Sequence, residues 1–319
     1  MKILFVTHPY PNYVPDLLLH GLRKLFGDNV VDFPRKDCLY NGVLGLGVCP
    51  ADQLFPGWFP HDDDGVDRYD IWKKAEAGFF DYVLCDLRAL PLLTANLKKW
   101  PSRCAVLDGE DKPQPMPPGP YVICRRETDG SDYSIPLPMA LPEEVLHWIV
   151  QYDHLPKQFS IGFLGSTHDG ERKRVVESLA GHYSHTLFQA TDVPSEDRPL
   201  PQGRLSRDDY YRKMQQCQMV LTLAGAGSDT FRFWENAACN ALHLCPRFPL
   251  YIPDDFEHGV EILRFTHVDE LRRQLDKHFS KDQAAKEIIQ RGRLKLVRSH
   301  LTTHRATYLI DRVRSAFGC

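Results

Sequence analysis

The stretch Gly225–Leu244, GAGSDTFRFWENAACNALHL, sets small residues ahead of a helical pattern and an apolar strand. The preceding MVLTLAG reads as a buried strand, so GAGS is a turn at its carboxyl end, and DTFRFWENAACN is a helix capped by Ser228 or Asp229. A helix N-terminus behind small residues offers backbone N–H groups to an anion. In open α/β sheets, ligands bind beyond the carboxyl ends of the strands. At 3.6 residues per turn, Phe231, Trp234 and Ala238 form one stripe that packs on the sheet. Arg232 and Glu235, three apart, share another stripe and can touch. Such a face suits a ligand carrying both negative charge and hydroxyls; the same spacing also describes an ordinary exposed ion pair.

Other residues bear chemistry. VLDGED places Asp108 and Asp111 at the end of an apolar strand, where a carboxylate would take a proton from a hydroxyl. The alternative is loop capping, or an ion pair with Arg125 or Arg126. His8, after the first strand, is a second candidate base. Arg172 and Lys173 in DGERKR offer cations to an anionic group, or form a solvated basic helix face. HDDDG at 61–65 is either a divalent-cation cluster or a solvated acidic turn, and the second reading is preferred. His300 and His304 have a zinc-like spacing but no third ligand, and GVLGLG lacks the following helix of a phosphate loop. No metal is implied.

The elements that must position these groups alternate in type. KILFVT, DYVLCDL, CAVLDG and YVICRR read as buried strands, and DLLLHGLRKLFG as a helix capped by Asp16 and ended by Gly27. After the Pro-rich KPQPMPPGP and SIPLPMALPEEV the pattern restarts with FSIGFLGS, GERKRVVESLAGHY, HTLFQA, MVLTLAG and ALHLCP. The chain closes on one long helical pattern from about Ala284 to Ala316. With 319 residues, this predicts an α/β protein of two Rossmann-like domains, 1–152 and 153–319, with the last helix packing back on the first. A hydrophobic content of 43% with 25% charged residues is that of a soluble globular protein. A net charge of -3 gives no electrostatic footprint for nucleic acid, though a local basic patch stays compatible with it. The 9 cysteines lack any C-x-x-C spacing and read as buried thiols in a reducing, cytoplasmic setting. No run is long enough to span a bilayer.

SDTFRFWENAACNALHLCP resembles the donor-site signature of GT-B glycosyltransferases, particularly the exostosin-like and spore-maturation-protein (CgeB)-like group. VLDGED with YVICRRE, SIGFLGSTHDGERKR and VRSHLTTHRATYLIDRV are similar to further segments of that group. Cys239-Asn240 stands where the group usually has a glycine, and Cys124 lies in its Lys-Arg-Glu segment. The resemblance implies two Rossmann-like domains facing across a cleft and metal-independent transfer of a hexosyl or pentosyl group from a nucleotide-sugar, the substrate, with no cofactor. It implies that Glu235 and Arg232 bind the donor, that Gly225, Gly227, Ser228 and Thr230 line it, and that Arg172 and Lys173 neutralise the departing diphosphate. Asp108, Asp111 or His8 would serve as base, and the aromatic loop around Trp58 would help form the acceptor surface. The acceptor is open: a glycan, a small molecule or a modified phage DNA base. A sugar-nucleotide epimerase and a non-catalytic nucleotide-sugar-binding protein are the rival readings.

Overall fold

The computed structural model describes residues 1–42, 57–63, 65–166, 170–191, 205–278 and 283–318. In chain order the elements are β1 (Ile3–Val6), α1 (Tyr13–Phe26), β2 (Val30–Phe33), α2 (Ile71–Glu76), β3 (Tyr82–Asp86), α3 (Leu90–Asn96), β4 (Cys104–Asp108), β5 (Val122–Arg125), β6 (Ile135–Pro136) and α4 (Glu143–Val150). There follow β7 (Phe159–Ser166), α5 (Gly170–Ala180), β8 (Leu187–Thr191), α6 (Arg207–Gln215), β9 (Cys217–Leu221), α7 (Phe231–Ala238), β10 (Leu242–Pro246), β11 (Leu263–Phe265), α8 (Val268–His278), α9 (Gln283–Ser299) and α10 (Thr302–Ala316). They form two compact units: Met1–Pro142 with Leu250–Pro253 and Leu301–Cys319, and Glu143–Pro249 with Asp254–His300.

The first unit holds a parallel sheet in the order β2-β1-β3-β4-β5-β6. The second holds one in the order β11-β10-β9-β7-β8. Counted from each unit's own first strand, both sheets share the doubly wound order 2-1-3-4-5, whose switch point lies between the first and third strands. Their strands read as continuous apolar runs because helices cover both faces. In the first unit Leu4, Val6, Val83, Cys85 and Val106 form the core. In the second, Ile161, Phe163, Met219, Leu221 and Leu244 do so.

Three local expectations change. Asp16 does not cap α1: Asn12 does, and Asp16 lies inside the helix, where its carboxylate accepts from the Asn12 N–H at 2.9 Å. Pro15 fits this early start because the first turn needs no N–H from it. Gly27 does end α1. Neither Ser228 nor Asp229 caps α7, whose N-cap is Thr230; Asp229 instead accepts from the Trp234 indole at 2.9 Å. The closing helical pattern is two helices. Leu301 is extended between them (φ −75°, ψ 160°) and bridges in parallel with Leu141, while the Thr302 N–H donates to the Leu141 carbonyl at 3.0 Å. Helix α10 lies against α1, and Gly21 leaves room for the Thr302 backbone.

Candidate functional site

In the second unit, the ends of β7 and β9 flank the switch point, and two arginines occupy them. Arg172, from the first turn of α5, is buried and donates to the carbonyls of Ala224, Leu223 (3.3 Å) and Ser166 (2.9 Å) and to the Ser166 hydroxyl (3.3 Å). Arg232, from the first turn of α7, donates through Nε to the Leu164 carbonyl at 2.7 Å. Both guanidinium groups lie over the Phe163 ring, at 5.9 and 5.0 Å from its centroid. Each has a glycine beneath it. A Cβ on Gly165 would overlap Arg232, and one on Gly225 would sit 2.8 Å from the Arg172 guanidinium. These glycines answer to close approach by a cation.

Thr230 stands at the mouth of α7 with its Oγ1 buried and unbonded. The GAGS turn is tight, the Gly225 N–H donating to the Gly227 carbonyl at 2.8 Å, so that amide is spent within the loop. Lys173 is not brought to this group; it is 65% exposed, 3.9 Å from Glu177 on the same helix. Successive helical residues point about 100° apart, so only one of the two cations can reach the strand ends.

Glu235 is 8% exposed, and no ion pair joins it to Arg232. Its carboxylate accepts from the hydroxyls of Tyr211 (2.8 Å) and Tyr210 (3.1 Å), both on α6. Burial pushes this carboxyl up, opposed by the two tyrosines and the charge of Arg232. The same surroundings raise both phenols, which stay neutral donors.

In the first unit, the switch point lies between β1 and β3. His8 follows β1 and stacks on Tyr10, with ring centroids 5.5 Å apart. Partial burial lowers its pKa against the opposing pull of Asp86, so the ring is neutral near pH 7. The buried Lys36 holds this loop, donating to the carbonyls of His8 (2.7 Å) and Tyr10 (2.6 Å) and pairing with Asp16 at 2.9 Å. Burial pushes the Asp16 carboxyl up to about 6. Asp86, at the end of β3, is fully buried; Oδ1 accepts from the Arg88 N–H at 3.0 Å, whereas Oδ2 has no hydrogen-bond partner.

Asp108 takes the capping and ion-pair role. Its carboxylate accepts from the N–H groups of Glu110 (3.3 Å) and Gln114 (2.9 Å) and from Arg125 Nε (3.1 Å). Asp111 is half exposed and paired with Arg126 at 2.8 Å. Both carboxylates are engaged in this way, and His8 Nδ1 accepts from the Tyr10 N–H at 3.4 Å. Trp58 packs on His20, with centroids 4.4 Å apart; most of its aromatic loop, residues 43–56 with all of GVLGLG but Gly42, lies outside the described residues, as does Asp64 of HDDDG. Asp63 is held by Arg23 and Arg68 at 3.0 and 2.6 Å, which is an ion-pair cluster. His300 precedes α10 and His304 lies inside it. Among the described residues no group of three His, Cys, Asp or Glu side chains could hold a metal.

Sequence reasoning missed Asp86, Lys36, Tyr210 and Tyr211. The argument made for Asp108, a carboxylate ending an apolar strand, applies equally to Asp86 in YVLCDL. Nothing in DDYYRK marks its tyrosines as partners of a glutamate 24 and 25 residues onward.

Residues 170–311, which carry Arg172, Arg232 and Glu235, match the model of the "Glycosyl transferase-like" family. The fold is shared with solved structures over nearly the whole chain. HepE from Anabaena, determined with UDP, is 12% identical with a TM-score of 0.53, covering 99% of this chain and 100% of its own. AviGT4, a glycosyltransferase of avilamycin A biosynthesis, is 12% identical with a TM-score of 0.53, covering 99% and 98%. An α-glucosyltransferase in complex with UDP-glucose and DNA containing an abasic site is 9% identical with a TM-score of 0.51, covering 98% of each. The fold is GT-B, and the glycosyl transferase-like match is confined to residues 170–311. No curated protein matches the chain. Among its described residues no helix is long and apolar enough to cross a membrane.

Proposed function

We propose that the protein transfers a hexosyl or pentosyl group from a uridine diphosphate sugar to an acceptor hydroxyl without a metal ion. The observation that carries this reading is the pair of arginines at the β7/β9 switch point, each seated over a glycine and both over Phe163. A diphosphate leaving group needs fixed positive charge where its own charge develops, and guanidinium groups supply it in water-poor surroundings. The unbonded Thr230 hydroxyl is a further donor for the same ligand. Glu235, held by two tyrosines, would accept from ribose or sugar hydroxyls. HepE, of the same fold, has been determined with UDP-glucose.

In the reaction the bond from sugar C1 to the diphosphate oxygen breaks, and the nucleoside diphosphate leaves with the bonding pair. C1 bonds to the acceptor oxygen, whose proton passes to His8, the neutral imidazole of the first unit's switch point. The first unit takes the acceptor. Within the GT-B class, the segment SDTFRFWENAACNALHLCP supports the exostosin-like and CgeB-like group, and buried free thiols support a cytoplasmic setting.

The test is a thermal-shift panel of nucleotide-sugars on wild type, Arg232→Ala and Glu235→Gln. One nucleotide-sugar should raise the melting temperature of wild type, and both variants should lose that rise while melting near the unliganded wild type. Equal shifts in all three proteins refute the assignment.

A further inference from the structure

A cavity of about 590 Å³ lies in the first unit at the carboxyl ends of β3 and β4. Leu87, Leu90, Pro91, Pro115 and Pro117 give it apolar walls. Its two ionic side chains cancel: Arg88 donates to both oxygens of Glu110, at 2.5 and 2.8 Å. That pair is tied to the β1 loop. Arg88 also donates to the Pro11 carbonyl at 3.3 Å, and Asn12 reaches Glu110 and Asp86 at 3.5 Å each. The polar wall is therefore joined by hydrogen bonds to the segment that carries His8.

Resting on the transferase reading above, we infer that this cavity binds the acceptor, and that the acceptor is an uncharged small molecule with an apolar ring body and a hydroxyl group. The volume is that of a site for a small organic ligand. The leucine and proline side chains, five of the nine lining residues, bury rings, and Thr94 and Gln114 leave few uncharged polar groups for the many hydroxyls of a glycan. An anionic or polymeric acceptor such as DNA would need cations in excess, and the cavity's one arginine is already neutralised. Ordering a rigid ring system costs little entropy, and three prolines fix the walls in advance.

The probe is 4-methylumbelliferone, titrated by its own fluorescence in the absence of donor, so that binding is read separately from transfer. Wild type should bind it, and Thr94→Trp, which fills the cavity from an exposed position on α3, should weaken binding at least tenfold. The thermal shift produced by the nucleotide-sugar should be the same in both proteins. Glu110→Gln leaves Arg88 without its counter-charge, and should raise affinity for 7-hydroxycoumarin-3-carboxylate relative to the neutral probe. Failure of wild type to bind the probe, or unchanged binding by Thr94→Trp, overturns the inference. So does transfer to an oligosaccharide or single-stranded DNA that Thr94→Trp leaves intact. A protein that binds the probe yet shifts with no nucleotide-sugar keeps this site and loses the donor assignment.

Discussion

The two units repeat one strand order and gather ionisable side chains at equivalent switch points, yet they treat charge differently. At the first unit's sheet edge most ions are matched, Lys36 with Asp16, Arg88 with Glu110, Arg125 with Asp108 and Arg126 with Asp111, while the buried Asp86 accepts only from the Arg88 N–H and the Asn12 amide. His8 is neutral between them. At the second unit's edge, Arg232 has a carbonyl and an aromatic face but, among the described residues, no carboxylate partner, and Glu235 is satisfied by neutral phenols. One edge has spent its electrostatics on its own loops. The other has positive charge in reserve, which is what a substrate carrying a diphosphate requires. On the proposed reading, the same scaffold divides neutral and anionic recognition through side chains at two strand ends, without any change of topology.

The contrast is open to attack by substitution. The largest effect should come from Asp16→Ala, which strands the buried Lys36 ammonium and loosens the loop of His8. Removing one partner of a buried pair costs about 3–5 kcal/mol, readable as a lower denaturant midpoint. A loss under about 1 kcal/mol would mean that the first unit's charges are not locked by pairing. Next, Arg232→Ala should lower kcat/KM for the donor by about 10²–10³-fold, the scale for losing one preorganised donor to developing charge, with the melting temperature nearly kept. Retained turnover would leave the second edge without its proposed cation.

Smaller is Tyr211→Phe, at about 1.5–3 kcal/mol at most in donor affinity for one hydrogen bond to a carboxylate. Its signature is the pH profile. Burial already raises the Glu235 carboxyl and the tyrosine hydroxyl lowers it, so deleting that hydroxyl raises it further. If donor binding needs the ionised form, affinity must fail at a higher pH in the variant as the solution is acidified. A purely structural tyrosine would shift the melting temperature and leave that midpoint in place. Smallest is Lys173→Ala, where an exposed cation beside Glu177 should contribute within about 0.5 kcal/mol to stability and nothing measurable to donor affinity. A strong donor defect there would mean that α5 presents both of its cations.

The strands were legible because parallel strands buried on both faces must be apolar throughout, as ILFV, CAVLD and LHLCP are. The stripe of Phe231, Trp234 and Ala238 was legible for the matching reason, since all three are buried where a period of 3.6 puts them. What spacing could not give was partner choice. Arg232 and Glu235 stand close enough to pair, but Leu164, Tyr210 and Tyr211 outbid each for the other. The break at His300-Leu301 has no glycine or proline to announce it; an extended Leu301 is fixed by Leu141, far earlier in the chain. The cap of α1 was misread for a smaller reason, because Asn12 and Asp16 are both good cap residues and only the helix start tells which is used.

The discontinuity of the first unit governs how this protein can be taken apart. A fragment stopped at Pro142 keeps all six strands of its sheet but lacks α10, exposing the flank of α1 around His20 and Gly21 where Thr302 belongs. It also lacks Tyr251, whose amide donates to the Thr128 carbonyl at 2.8 Å. Dissection therefore calls for rejoining the ends, by circular permutation or by grafting residues 301–318 after Pro142 through a linker, rather than for simple truncation.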